Sequence, residues 1–503
     1  MPENVRALLV ILLASFAASH VARPALSGLI DSGRLIRWRN AWMLMSALAF
    51  LSPTIWIFFI LASLYLRYLS RQEPATPALY VLLLCAIPPL GFVIPGFGII
   101  NYLVQIDYLR LLSLIVLLPA ALQLRRESDR LAFGQNWPDR LLIGYLALSV
   151  GLQLRDSTVT DTLRQGVYSI LDVFLPYYVM SRGLQKFEQF RETLSAFVYA
   201  ASMIALIAGF EFFKHWLLYK SISANWDIPA SNFYLDRGSS LRAVAAMISP
   251  IALGYVMVVA LGLFVAISPA IPDTRTRRRI WLMLALGLLF PLSRGPWVGA
   301  GLMLVVLLAT GPNAVKRLFM LAVLGAASIP LLSFLPGGEK ILNLLPFIGH
   351  IDQQNVDYRH DLIEKSMIVI RRNLLFGSVN FLQTPEMQSL IQGQGIIDLV
   401  NTYIGIALGY GLVGVSLFAG FFASIVLPLL RRNDTDTDAA TALLRRSLLA
   451  VLLAILLMIF TVSPIGVISY LYWTVAGIGV ACLNLGRATE RAPHHGVAQN
   501  SYV

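Results

Sequence analysis

Long apolar runs recur from one end of the chain to the other, broken by short clusters of arginine, proline and glycine. They fall near 5–21, 41–66, 78–94, 107–122, 140–153, 163–181, 192–213, 241–267, 279–292, 296–310, 315–335, 400–429, 443–462 and 465–485. A helix needs about 20 apolar residues to cross hydrocarbon. The pattern therefore predicts an all-α polytopic membrane protein, a single integral-membrane domain over 1–503 with 12–14 transmembrane helices. The first run, near 5–21, reads as a retained span, because Glu3 offsets Arg6 where a signal peptide carries net positive charge.

The short connections at 125–130, 275–279, 315–317, 431–432 and 445–446 are rich in arginine and lysine. Placing them all in the cytoplasm obeys the positive-inside rule and puts both termini there. Residues 22–40 dissent: Arg23, Arg34, Arg37 and Arg39 then fall outside, either as an interfacial helix or because the span count is off by one. Two external loops stand out, 214–240 and the much longer 336–399, a large helical loop before the last three spans. Within the latter, 358–376 predicts an amphipathic helix. Leu362, Ile363, Met367, Ile370, Leu374 and Leu375 share its apolar face, Asp361 and Lys365 form an i,i+4 pair, and Gly377 is the cap. Residues 486–503 read as a disordered cytoplasmic tail. No internal repeat is evident.

Composition sharpens this picture. Apolar residues make up 57% of the 503 and charged residues 13%, about half the usual charged share. A soluble enzyme, a secreted disulfide scaffold and a disordered regulator are excluded. The net charge of +12 is explained by loop arginines facing anionic lipid rather than nucleic acid. Cys85 and Cys482 both lie in apolar runs and have no metal-type spacing.

Four places concentrate costly polar groups at the external mouths of spans. Arg242 enters an apolar run, with Arg237 five residues before it and Ser239 or Ser240 as a cap. Arg294 sits in the hairpin PLSRGPWVG beside Trp297. Arg359 and His360 open the loop helix. Asp398 and Asn401, three apart and expected on one helix face, precede Tyr403. Each has a bland reading: a terminal arginine usually snorkels to headgroups, Trp297 belongs to an aromatic belt, Asp398 caps a helix, and His360 is solvated. Taken jointly, three arginines and a carboxylate on one face match the chemistry of a diphosphate, which guanidinium groups hold bidentately.

These motifs resemble the O-antigen ligase and Wzy-type polysaccharide polymerase superfamily, across roughly residues 160–480. Arg242 precedes Pro250 by eight residues, as in that family. Ser293–Arg294–Gly295 is similar to its S-R-G turn, and Arg359–Ile363 to its R-x-x-x-L motif. The segment Val400–Gly411 resembles its H-x10-G motif, with Asn401, Tyr403, Leu412 and Gly414 also in place. Val400 departs from it, standing where the family's ligases carry histidine. Asp398 is the candidate for the missing polar role, with His360 a weaker substitute.

The resemblance implies a metal-independent, cofactor-free glycosyltransferase of the bacterial inner membrane. It would polymerise undecaprenyl-diphosphate-linked repeat units into exopolysaccharide or O-antigen at the periplasmic face. Arg242, Arg294, Arg359 and Asp398 would be catalytic, and Arg237, Asn401, Trp297, Tyr403 and His360 would bind substrate. Expected partners are the lipid-linked glycan, membrane lipid, and flippase and chain-length regulator proteins, with no nucleic acid. Two alternatives stand beside it: ligation of the glycan to lipid A core or protein, and a lipid-linked oligosaccharide flippase. The long external loop and the missing repeat weigh against the flippase.

Overall fold

A computed structural model describes residues 1–98, 101–127, 130–228, 235–237, 240–334, 353–391, 396–431 and 438–490. These residues form an all-α polytopic bundle. Seven helices are long and apolar enough to cross a membrane: Glu3–Leu26, Tyr108–Arg126, Phe187–Lys214, Pro250–Ala270, Thr402–Arg431, Ala439–Thr461 and Val467–Leu485. Other helices pack alongside them, among them Ser32–Leu51, Ile55–Gln72, Trp137–Asp156, Thr274–Leu289, Arg294–Ala309 and Ala314–Phe334. The expected 12–14 passes are reached only when these are counted as well.

The chain's breaks follow its capping residues. The run at 41–66 is two helices, because Pro53 interrupts it and Thr54 Oγ1 caps Ile57 N–H at the next start. The run at 78–94 holds only a short buried helix, Thr76–Leu83. Pro88 and Pro89 end it, and Gly91–Pro95 then pairs antiparallel with Tyr102–Asp107. Asp107 Oδ1 takes the Arg110 N–H at 2.8 Å and starts the following span.

Contacts between loops define two ends of the bundle. At one end Trp216 donates to Glu3, Asn225 and Trp226 donate to the Ser52 carbonyl, and Trp56 packs on Phe92. At the other end Gly28 touches Pro272, Gly183 touches Pro77, and Arg446 donates to the Thr310 carbonyl. Residues 27–31 thus join the arginine-rich connections, which removes the dissent of 22–40: the split at Pro53 shifts the parity there. The short helix and hairpin after Gln72 carry the chain across once more. Glu3 and the end of the last apolar helix lie at opposite ends of the bundle.

Three buried or half-buried clusters inside the bundle pair arginine with carboxylate. Asp139 and Arg182, both essentially inaccessible, form an ion pair beneath Tyr177 Oη, which donates to Asp139 Oδ1 at 2.6 Å. Arg110 pairs with Asp172 at 2.8 Å, and Tyr470 donates to the same carboxylate. Arg34 bridges Glu73 and Glu192, and Trp38 donates to Glu73. Unpaired charge in these places would cost several kcal/mol.

The loop helix runs Gln353–Arg372 rather than 358–376. Its buried stripe is Leu362, Ser366, Val369 and Ile370, packed on Met387, Leu390 and Leu408. Ile363, Met367, Leu374 and Leu375 are exposed. The helix turns one position away from the expected face because Ser366, small and buried, lets it approach Met387. Gly377, at φ +61°, lies beyond the helix end and donates to the Asn373 carbonyl.

Candidate functional site

Arg242 does not enter a helix. The helix behind it begins at Pro250, with Ser249 Oγ accepting from Ala252 N–H, and residues 240–249 are strand, 3-10 turn and left-handed backbone. Neither Ser239, outside the described residues, nor Ser240 is the cap. What holds this non-helical stretch is Glu211, buried at the end of Phe187–Lys214. Its Oε1 accepts from Leu218 N–H at 3.0 Å, and its Oε2 from Val244 at 3.0 Å and Ala245 at 2.7 Å. One carboxylate thereby satisfies three buried backbone donors.

So fixed, the stretch lies against the hairpin that carries Arg294. Arg242 Nε donates to the Pro291 carbonyl at 3.1 Å, and Ala243 N–H donates to the Phe290 carbonyl at 3.2 Å. Leu292 has φ +47°, and the helix Arg294–Ala309 starts immediately after. Arg294 is half-buried in its first turn. The hairpin packs closely: a Cβ on Gly254 would come within 2.7 Å of Pro296, and one on Gly295 within 2.9 Å of Thr461 Oγ1. Trp297 donates its indole N–H to the Leu288 carbonyl at 2.9 Å and packs on the core. This bond and packing brace the hairpin, and the ring stays partly exposed.

Thr461 leads to the second half of the site. Residues 398–403 dock on 456–463: Ser463 Oγ donates to Asp398 Oδ1 at 2.6 Å, Thr402 Oγ1 to the Val462 carbonyl at 2.8 Å, and Tyr403 Oη to the Leu456 carbonyl at 2.9 Å. The helix begins at Thr402, so Asp398 and Asn401 do not share a helix face. Asn401 is the cap, its Oδ1 accepting from Tyr403 N–H at 2.9 Å and Ile404 N–H at 3.2 Å. Asp398 precedes it in irregular chain, with Val400 at φ +38° and Val400 N–H on Asp398 Oδ1 at 3.1 Å. Among the described residues both bonds to this carboxylate fall on Oδ1, and none falls on Oδ2.

The loop helix reaches the same place. Tyr358 Oη donates to the Asp398 carbonyl at 2.9 Å and accepts from Asp398 N–H at 3.1 Å. Burial pushes the Tyr358 phenol above its ordinary value, so the hydroxyl keeps the proton it donates. Arg359 and His360 follow on the exposed side. His360, Asp361 and Glu364 bring ligand atoms within 4.8 Å of one another, but all three are exposed, and the trio reads as a solvated surface group.

The structure thus gathers Arg242, the Arg294 turn, Asp398, Asn401 and Tyr403 at one end of the bundle, around residues 456–463. It brings the helix of Arg359 to them through Tyr358. The Arg237 side chain and Tyr234 lie outside the described residues. Sequence reasoning missed Tyr358, Thr461, Ser463 and Glu211. Only Glu211 left a signal, an acidic residue inside an apolar run.

A broken helix completes the frame. Gly411 (φ 64°, ψ −165°) interrupts Thr402–Arg431, and residues 374–378 fill the break. Leu412 N–H donates to the Leu374 carbonyl at 2.9 Å, Val413 N–H to the Leu375 carbonyl at 3.1 Å, and Ser378 N–H to the Leu408 carbonyl at 2.9 Å. Arg155 and Asp156 tie the same segment to Trp137–Asp156 through Gly377, Val379 and Asn380.

Comparison of the chain with known protein families finds no match, and comparison with curated protein sequences finds none either.

Proposed function

We propose that this protein is a glycosyltransferase of the bacterial inner membrane that polymerises undecaprenyl-diphosphate-linked repeat units. In this reading the arginine-rich end is cytoplasmic and the end bearing Arg242, Arg294 and Asp398 is periplasmic. The observation that carries it is the meeting of two arginine-bearing turns with an anchored carboxylate around residues 456–463.

An acceptor sugar hydroxyl attacks the anomeric carbon of a second lipid-linked unit. A glycosidic C–O bond forms, the anomeric C–O bond to diphosphate breaks, and its electron pair leaves with the polyprenyl diphosphate. Arg242 and Arg294 bind that diphosphate and stabilise the charge as it develops. Arg359 supplies a third cation from the loop helix. Asp398 takes the acceptor proton on Oδ2, while Ser463 and Val400 N–H hold Oδ1 in place. Asn401 acts by capping the helix that positions this segment. Trp297 and Tyr403 brace the site through their hydrogen bonds to Leu288 and Leu456.

The test is deletion of the gene in its host, with lipid-linked and surface glycans resolved on a gel, complemented by wild type or Arg294→Ala. Single repeat units accumulating without long chains support polymerisation. Long chains retained on the carrier and missing from their final acceptor would show ligation instead.

A further inference from the structure

A partly open cavity lies at the opposite end of the bundle from Arg242 and Arg294. Asp156 is tied to Val379 and Asn380 at the candidate site. From there the chain runs through Val159 to Gly183, which meets Pro77 at the far end. Beside that last stretch is a cavity of about 610 Å³, within the roughly 300–1,000 Å³ of small-molecule sites.

Its polarity is graded along the bundle axis. Leu118, Leu122, Ile170 and Phe174 line the deep part, and Arg125, Glu127 and Arg130 line the rim. From Leu118 to Arg125 is about 10 Å of helix rise, about two-thirds of the depth of one leaflet, which is half of about 30 Å. Arg130 is held by Glu127 and by the Arg182 carbonyl, whereas Arg125 is exposed at the rim. Among the described rim residues, two arginines stand beside one carboxylate. Both walls also carry π-helical stretches, Ser113–Leu117 just before Leu118 and Ser169–Phe174 bearing Ile170 and Phe174. Such stretches widen a helix locally and recur at functional sites. Phe133 and Tyr178 close the back by covering the buried Arg182 guanidinium, 5.5 and 5.6 Å from their centroids.

We infer that this cavity is a binding site for a lipid with an anionic phosphate headgroup. One hydrocarbon chain lies between Leu118, Leu122, Ile170 and Phe174, and the phosphate sits at Arg125 beside Arg130. An apolar slot reaching well into one leaflet, with guanidinium at its wet end, matches that amphiphile. A free phosphate ion would leave the slot unfilled, and an uncharged lipid would leave Arg125 unmatched.

The full chain, purified in detergent and delipidated, is titrated with phosphatidylglycerol and with phosphatidylcholine and read by native mass spectrometry. One retained phosphatidylglycerol is expected, with a preference over phosphatidylcholine of about tenfold, the worth of about 1.4 kcal/mol. Arg125→Gln should bring the two lipids to parity. Leu122→Trp and Ile170→Trp, at half-exposed wall positions, should expel both while leaving the elution profile unchanged. Equal phosphatidylglycerol retention in wild type and all three variants would overturn the inference. So would its displacement by millimolar inorganic phosphate, which would mark a site for the free ion.

Discussion

Gly377 and Gly411 touch backbone to backbone: a Cβ on Gly377 would lie 2.6 Å from the Gly411 nitrogen, and one on Gly411 would lie 2.3 Å from the Leu375 carbonyl carbon. This contact lets residues 374–378 enter the long helix Thr402–Arg431 and satisfy the groups that its break releases. In an unbroken helix Leu412 N–H would bond to the Leu408 carbonyl. Here Leu412 bonds to Leu374, and Leu408 receives Ser378. Broken helices survive at membrane depth only where other protein groups re-pair the freed backbone. Residues 374–378 are that partner.

Gly411→Ala is therefore expected to be severely destabilising. Its φ and ψ fall where essentially only glycine goes, at a cost of about 1–3 kcal/mol before any clash is counted. Gly377→Ala should be similar in direction. Gly301→Ala, in a helix with open space at the added Cβ, should be neutral. Thermal unfolding of detergent-purified variants separates these outcomes, and a Gly411→Ala protein as stable as wild type would remove the break from the fold.

Glu211→Gln tests the anchor of the Arg242 stretch. Three backbone N–H groups point at the two carboxylate oxygens, and an amide offers one oxygen and one NH2. At least one buried N–H then faces another donor, at a cost of about 1–3 kcal/mol. Lower melting temperature is expected together with reduced activity, because Arg242 depends on this stretch for its place against Pro291. Unchanged stability would show that the carboxylate is not what holds residues 244–245.

The buried pair Asp139–Arg182 gives a stability prediction remote from the site. Asp139→Leu or Arg182→Met alone should cost about 3–5 kcal/mol, since each leaves its partner's charge unmatched among Phe133, Tyr177 and Tyr178. The double variant Asp139→Leu with Arg182→Met should recover much of that loss. A double-mutant cycle on melting temperature checks the coupling; additive losses would mean that the two groups act separately.

The alternation of apolar runs and arginine-rich connections made the membrane bundle and its arginine-rich end legible in the sequence. Hydropathy alone could not see that Pro53 splits one long run in two. Nor could it show that Pro88 and Pro89 turn another into a short helix and a hairpin, because a window average erases a break of one or two residues. For the site, the grouping of Arg242, Arg294 and Asp398 at one end follows from their places in the chain. The hydrogen bonds that fix them do not. Ser463, Thr461 and Tyr358 are ordinary residues until the fold sets them against Asp398 and Gly295. Asn401 caps its helix because that helix starts at Thr402, two residues later than the apolar run at 400–429 suggests.

Ser463 offers the sharpest separation of chemistry from architecture. Arg294→Ala and Asp398→Asn should each abolish polymer on the gel, with losses of about 10²–10³ for a charge-stabilising group and about 10²–10⁴ for a general base. Either could also act by disturbing the fold. Ser463→Ala removes one hydrogen bond to Asp398 Oδ1 and leaves the carboxylate, both arginines and the Tyr358 bridge in place. If Asp398 accepts the proton, loss of this partner loosens its aim, and kcat should fall several-fold with KM and melting temperature little changed. If Asp398 only shapes the chain before Asn401, Ser463→Ala should lower melting temperature and leave the kcat of the folded protein unchanged. Turnover of lipid-linked repeat units by the purified variant, measured beside its melting temperature, distinguishes the two.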